Sequence, residues 1–378
     1  MDPSNDPTPP TSPLTTSPPM VQLLSPSGER VTDPRHAFDG DRAEIEALYR
    51  DLVMTRRVDT EAYALQRHGE LGLWPPALGQ EAAQVGSARA LRPHDFAFPT
   101  YRDHGVAWCR GVDPTHLLGI FRGSHLGGWD PAEHGIALPN IIIGAQTLHA
   151  TGYAMGLALE GLVGTGDAER DSAVIAYFGD GATSQGDVSE ALDWAAVHQS
   201  PVVFFCENNQ YAISVPVDSQ TRVPIVQRAD GFGLPGVRVD GNDVLACLAV
   251  TRQALQRARD GEGPTLIEAV TYRMGAHTTS DDPGRYRDAS EVEGWKAKDP
   301  LERVRLLLVA EGTSEEFFAE LDADAEALGV RLRAACQQIT EPDLAELFDH
   351  VFVESTVENQ QQKAEHVAWQ AAFEEVAS

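Results

Sequence analysis

Two short runs, AVIAYF at 173–178 and VVFFC at 202–206, are apolar at every position. A strand covered on one face alternates apolar with polar residues, whereas one apolar throughout is covered on both. Each run stops at turn-forming residues, Gly179-Asp180-Gly181 after the first and Asn208-Asn209 after the second. Between them, DVSEALDWAAVHQ has helical spacing, with Asp187 placed as an N-terminal cap or first-turn acid. GVRVDGND predicts a third strand, VLACLAVTRQALQRARDG a helix and PTLIEAVTYR a fourth strand. Buried strands alternating with helices predict an α/β fold: a parallel sheet covered by helices on both faces. Right-handed crossovers bring the ends of consecutive strands to one edge.

Helical extensions flank this centre. The stretch 43–70 carries apolar residues at helical spacing, and 79–91 predicts a second helix. After about 290 the chain is polar and mostly helical. The Pro-, Ser- and Thr-rich residues 1–37 hold too little apolar surface to offset chain entropy and are expected to be disordered, leaving 38–378 as one domain.

The 378 residues include 29 basic and 57 acidic ones, a formal net charge of −28, with no basic run. Such a chain repels nucleic acid and anionic lipid. The N-terminal residues resemble neither a signal nor a transit peptide, and no run approaches the ~20 apolar residues of a membrane helix. Four scattered cysteines without a CxxC argue against a disulfide framework or a zinc site and place the chain in a reducing, cytoplasmic setting.

Ligands of parallel sheets bind beyond the carboxyl ends of the strands. Asp180 sits at one such end and Asn209 at the next, one crossover away. A carboxylate, an amide oxygen and a backbone carbonyl at Tyr211 are hard oxygen ligands suited to Mg²⁺, which completes its shell with phosphate oxygens and water. Gly181 permits close approach of the backbone, and the amides of Gly181 and Ala182 are placed to donate to phosphate. A GDG turn alone is common turn chemistry; with NN at the neighbouring strand end it points to a diphosphate bridged to protein by a metal. A nucleotide-binding Rossmann motif is a weaker rival, because FGDGATSQG does not supply GxGxxG.

The pairing resembles the thiamine diphosphate signature. YFGDGATSQGD, FFCENNQYAIS, VDGNDV and TYRMGAHTTSDDPGRYR, with GQEAAQVGSARAL, FPTYRDHG and IIIGAQTLHATGYAMG upstream, together resemble the alpha subunit of the two-subunit 2-oxo acid dehydrogenase decarboxylase component over roughly 40–375. The resemblance implies a thiamine-diphosphate-binding fold. Asp180, Asn209 and the Tyr211 carbonyl would hold Mg²⁺, while Gly181, Ala182, Tyr101 and Arg102 would reach the diphosphate. Arg102 suits that role because its fork meets phosphate oxygens in pairs. Ile143, with Ile141 beside it, would face the aminopyrimidine ring through its backbone. His277 would lie at the phosphates and help pass the acyl group to a lipoyl carrier. Thr278 takes a position that is a phosphorylated serine in animal relatives. Glu207 departs from relatives that carry a diphosphate-binding Arg there; it is expected to point away or to pair with a cation.

By the same resemblance the chain decarboxylates a 2-oxo acid oxidatively and acylates a lipoyl acyltransferase, and it requires a beta subunit in an α2β2 heterotetramer. Leu73 and Trp74, with Tyr101, fall in the family's substrate-pocket stretch. Their apolar bulk, and Pro75 where pyruvate enzymes often carry His, favour branched aliphatic 2-oxo acids over pyruvate or acetoin-type substrates. A non-catalytic scaffold with a degenerate cofactor site is the alternative of another class. The retained Asp180, Asn209, Arg102 and His277 speak against it.

Overall fold

The computed structural model describes residues 18–124, 128–340 and 343–377. Its strands are β1 (Phe96–Phe98), β2 (Val174–Gly179), β3 (Val202–Asn208), β4 (Tyr211–Ala212), β5 (Val215–Pro216), β6 (Gly236–Asp240) and β7 (Thr265–Val270). Among the described residues, five form one parallel sheet in the order β1-β2-β3-β7-β6, and β4 and β5 form a two-residue antiparallel ladder. The four expected strands are all present. The fifth, β1, is three residues long, too short to show a period in sequence.

Every residue of β3 is buried, as its continuous apolar run requires. Alternate residues serve opposite faces. Ile175, Tyr177, Val203 and Phe205 join a core with the helices Arg42–Arg67, Glu81–Ala88 and Val244–Arg259. Val174, Ala176, Phe178, Val202 and Phe204 join a second core with Ala145–Leu159 and Gly186–His198. In the last of these helices Asp187 is a first-turn acid, and Gln185 is the cap.

Register decides where the loops emerge. Gly179 pairs with Glu207, Glu207 with Ala269, and Asn208 with Val270. Three strands therefore end at one level, so Asp180, Asn209 and the residues after Val270 leave the sheet side by side.

The N-terminal expectation is corrected in part. Residues 1–17 lie outside the described residues, but 18–37 are not a free tail. Val21 bridges Val239 in parallel, donates to the Arg238 carbonyl at 2.8 Å and accepts from the Asp240 amide at 3.0 Å. The amides of Leu23 and Leu24 donate to the Asp243 carboxylate, which also caps the Val244–Arg259 helix. Val21, Leu23 and Leu24 are core residues. Three apolar side chains among prolines and serines are diluted in composition, but they suffice to cover the open edge of β6.

The C-terminal helices Pro300–Ala310 and Glu315–Gln338 begin at capping Asp299 and Ser314 and contribute Val304, Leu308, Leu321 and Leu332 to the core around Arg42–Arg67. The last helix, Val357–Ala377, exposes Trp369 and Phe373. Among the described residues no helix is long and apolar enough to cross a membrane.

Candidate active site

The carboxyl ends of β2, β3 and β7 open into a cleft of about 520 Å³. Asp180 follows β2 in a short 3-10 turn, Asp180–Ser184, and is almost wholly buried. Burial pushes its carboxyl up to about 6, against the opposing effect of a hydrogen bond from Gln220. Gln220 Nε2 donates to Asp180 Oδ2 at 3.1 Å and to the Val215 carbonyl at 3.2 Å, fixing the carboxylate from the far side. A Cβ on Gly181 would meet the Ala212 side chain at 2.7 Å. The glycine thus serves the contact between the loops after β2 and β3, beyond any approach to a ligand.

The second loop is contorted. Gln210 and Ile213 take positive φ of 76° and 57°, a rare region for residues with side chains. This turns the chain so that the Tyr211 carbonyl faces the loop's own start. With the Asn209 amide nitrogen donating to Gln80 Oε1 at 2.9 Å, its Oδ1 lies 3.3 Å from Asp180 Oδ1 and 3.1 Å from the Tyr211 carbonyl oxygen. Reversing this amide alone would set its oxygen against Gln80 Oε1. Turning the Asn209 and Gln80 amides together instead lets the Asn209 nitrogen donate to Asp180 and to the Tyr211 carbonyl, and gives the unpartnered Gln80 Nε2 an acceptor. The amide thus has two settings: nitrogen inward without a cation, and oxygen inward, making three convergent oxygens, with one. Adjacent ligands of an octahedral Mg²⁺ stand about 3.0 Å apart, from a metal–oxygen distance of about 2.1 Å. The residues fit a small divalent cation. Among the described residues no cluster of three His, Cys, Asp or Glu side chains offers a metal site, so a cation here rests on one carboxylate, one amide and one carbonyl.

Beside this corner stand two guanidinium groups and an imidazole. Arg102 donates to the Pro76 carbonyl at 2.6 Å and to the His277 carbonyl at 2.8 Å. Arg273 donates to the Tyr211 carbonyl at 3.0 Å and the Ile213 carbonyl at 2.7 Å, holding the contorted loop open. His277 Nδ1 lies 3.2 Å from Arg102 and 3.5 Å from Arg273. Arginine has only protons to offer, so Nδ1 accepts and the ring proton sits on Nε2. Burial first, then the two arginines, lower the His277 pKa to about 4. Asp281 accepts from the His277 amide at 2.8 Å, and Arg287 donates to the carbonyls of Met274 and Gly275, so the 275–287 loop is tied down at both ends.

Tyr101 lines the cleft with its ring 6.4 Å from that of His277, edge to face. Leu73, Ile141, Ile143, Ala182 and Thr278 also line it. Ile141 to Ile143 are not core: they stay 65%, 71% and 40% exposed.

Two expectations need correction. Trp74 does not line the cleft. It is fully buried, its indole donates to Asp59 at 2.8 Å, and it stacks on His104 with ring centres 4.2 Å apart. Apolar bulk marked the stretch, but only Leu73 and Pro75 face inward, and Phe121 completes that wall. Glu207 does not point away, and among the described residues it pairs with no cation. It lines the cleft floor, accepts from Gln84 at 3.2 Å and shares a buried site with Asp103. Burial, then the Asp103 charge, push the Glu207 carboxyl well above its usual range, and burial pushes Asp103 up to about 6. Both shifts favour keeping a proton on the pair, since two adjacent buried carboxyls resist ionising together.

Sequence reasoning also missed Gln80, Asp103, Gln220 and Arg273. Each is polar and buried or half-buried. Arg273 alone carried a signal, an arginine closing the otherwise apolar and hydroxylic run that leaves β7.

A parallel α/β sheet with three oxygen groups and cationic side chains gathered at its strand ends places the chain in the class of α/β proteins whose cleft suits an anionic group and a divalent cation. The chain belongs to the dehydrogenase E1 component family, whose sequence model matches residues 49–338. It is 47% identical over 338 residues to the 3-methyl-2-oxobutanoate dehydrogenase subunit alpha of Mycobacterium tuberculosis, covering 89% of this chain and 90% of that one. It is 40% identical over 299 residues to the pyruvate dehydrogenase E1 component subunit alpha of Staphylococcus aureus, covering 79% and 78%. The same figures hold for the protein of that name from Staphylococcus epidermidis.

Proposed function

We propose that this chain is the alpha subunit of a 3-methyl-2-oxobutanoate dehydrogenase, acting on branched 2-oxo acids with thiamine diphosphate and Mg²⁺. The observation that carries the reading is the convergence of Asp180, Asn209 and the Tyr211 carbonyl beside Arg102 and His277. Thiamine diphosphate supplies, when bound, the electron sink that decarboxylation of a 2-oxo acid needs. The chain's own residues bind and orient it. The oxygen triad takes the cation, the Gly181 and Ala182 backbone and Arg102 take the diphosphate, and Ile141 and Ile143 take the ring system. His277, neutral with its proton on Nε2, can donate to an oxygen on the reacting group. Leu73, Pro75 and Phe121 form an apolar wall that suits an isopropyl group and excludes water.

A beta subunit, in an α2β2 assembly, completes the site, and a lipoyl acyltransferase receives the acyl group. Support comes from exposed Ile142 at the cleft mouth and from exposed Leu159, Trp194 and Val197 on the two helices that start beside it, large apolar side chains of the kind that partners cover. The similarity to proteins named as alpha subunits points the same way. Four free cysteines, three of them buried, fit a reducing cytoplasm. Pyruvate dehydrogenase is the second reading, favoured by the 40% identity above.

The test is steady-state kcat/KM for 3-methyl-2-oxobutanoate against pyruvate with the reconstituted complex. A preference of about tenfold or more for the branched acid is expected, the worth of a few methylenes in an apolar pocket. A preference for pyruvate would establish the second reading. Full decarboxylation by this chain alone would refute the need for a partner.

A further inference from the structure

Five arginines gather around a second cavity, of about 560 Å³, at the far end of the sheet. Arg92 and Asp95 immediately precede β1, and Arg259 ends the helix that leads into β7. The cavity therefore lies at the amino ends of the strands, whereas the cleft lies at the carboxyl ends. Arg35, His36 and Asp39 form its outer wall, Arg89 and Arg92 a second, and Arg252 with Arg259 a third.

In a chain of net charge −28 this concentration of one sign is unusual. Most of the guanidinium groups have a carboxylate partner, but mostly behind the wall. Arg35 meets Asp33 at 3.3 Å, Arg89 meets Asp51 at 2.6 Å, and Arg259 is bonded to buried Asp95. Arg252 is paired with Glu44 and stands 3.7 Å from Asp39. Of these five carboxylates only Asp39 lines the cavity. Arg92 makes no ion pair among the described residues; its guanidinium donates to Gln256 Oε1 at 3.0 Å and to the Ala168 carbonyl at 3.4 Å. Nδ1 of His36, in the same wall, is buried without a hydrogen-bond partner. Arg35, Arg89 and Arg252 keep their side chains 52%, 45% and 39% exposed, so their remaining N–H groups are open to a ligand.

The basic residues here are all arginine, with no lysine among them. Guanidinium forks suit the paired oxygens of phosphate, and several forks on facing walls suit more than one phosphate group. Ala90, Leu91 and Ala249 add an apolar part to the lining. We propose that this cavity is a binding site for a diphosphate-bearing small molecule, separate from the catalytic cleft. The proposal does not rest on the function given above, because no residue of the cleft enters it.

The test is calorimetry of the full chain with inorganic pyrophosphate and, separately, ADP, in a chelator that keeps metal out of the cleft. Saturable binding is expected. Arg35→Ala and Arg89→Ala should each weaken it about tenfold or more, the worth of one charge-assisted hydrogen bond. Arg102→Ala, in the cleft, should leave it in place. Binding should also weaken steeply with added salt. ADP tighter than pyrophosphate would assign a nucleotide; equal affinities would assign the diphosphate alone. No saturable binding, or binding lost in Arg102→Ala and kept in the other two variants, would overturn the proposal. Should Arg89→Ala lower the melting temperature, Arg35→Glu at the exposed rim gives the same reading without touching a buried group.

Discussion

Arg102 donates to the His277 carbonyl at 2.8 Å and stands 3.2 Å from Nδ1 of the same residue, so one guanidinium sets both the position and the charge of the imidazole. Burial and the charges of Arg102 and Arg273 hold the His277 pKa at about 4 rather than 6.5. The ring is then neutral throughout the physiological range. The folded chain binds fewer protons here than the unfolded chain between those two values. This contribution to stability is complete above pH 6.5 and is lost as pH falls toward 4. Arg102→Met removes one of the two cations and should raise the His277 pKa toward 6.5, as read from the imidazole resonances by NMR titration. A His277 that already titrates near 6.5 in the unmodified chain contradicts the geometry.

Asp180 is buried against its own charge, with its pKa pushed up to about 6. A carboxylate in that position is a poor choice for stability alone and a good one for a cation. Asp180→Asn should therefore leave the metal-free melting temperature unchanged or slightly higher at pH 8. It should abolish the rise that Mg²⁺ and thiamine diphosphate together produce. Thermal melts with and without the two additions separate these effects. A variant still stabilised by the pair would remove Asp180 from the metal site.

The Asp103–Glu207 pair makes the opposite demand on pH. Both carboxyls sit above their usual range, so the folded chain holds protons that the unfolded chain has released. Stability is fullest below the unfolded values near 4 and falls as pH rises through about 6, where Asp103 titrates. Glu207→Gln removes one of the two charges while keeping the shape. Its melting temperature should exceed that of the unmodified chain at pH 8 by a few degrees, at roughly 1–1.5 °C per kcal/mol for a domain of this size, and by less at pH 5. Equal shifts at both pH values would show that the pair shares no proton.

These sites differ in how far they could be read from the chain. Asp180 and Asn209 were legible because the strand register that unites them follows from two all-apolar runs, each ending in a turn. Arg102 and His277 became legible only through the order of motifs, since a lone Arg or His in a loop is most often solvated. Gln80 and Gln220 were not legible: an amide whose whole task is to hold another side chain carries no spacing and no charge. The disorder expected over 1–37 failed from Val21 onward for a related reason. Edge covering needs only Val21, Leu23 and Leu24, and composition averages them away. Trp74 was read as pocket because bulk is visible in a sequence and direction is not.

That last distinction yields a prediction about substrate choice. Leu73 faces the cleft, while its neighbour Trp74 is locked behind it by the Asp59 hydrogen bond and the His104 stack. Leu73→Ala removes apolar contact from the wall that meets the acyl group. It should lower kcat/KM for 3-methyl-2-oxobutanoate about tenfold while affecting pyruvate less, because the smaller acid reaches less of that wall. Trp74→Phe keeps the wall but deprives buried Asp59 of a donor. Its effect should fall on stability, a loss on the order of 1–3 kcal/mol in denaturant titration, with the ratio of the two kcat/KM values unchanged. The residue that faces the cleft and the one behind it are adjacent in the chain, so the pair of variants tests orientation with position held constant. A changed substrate ratio in Trp74→Phe, with Leu73→Ala silent, would mean that the indole and not the leucine shapes the acyl pocket.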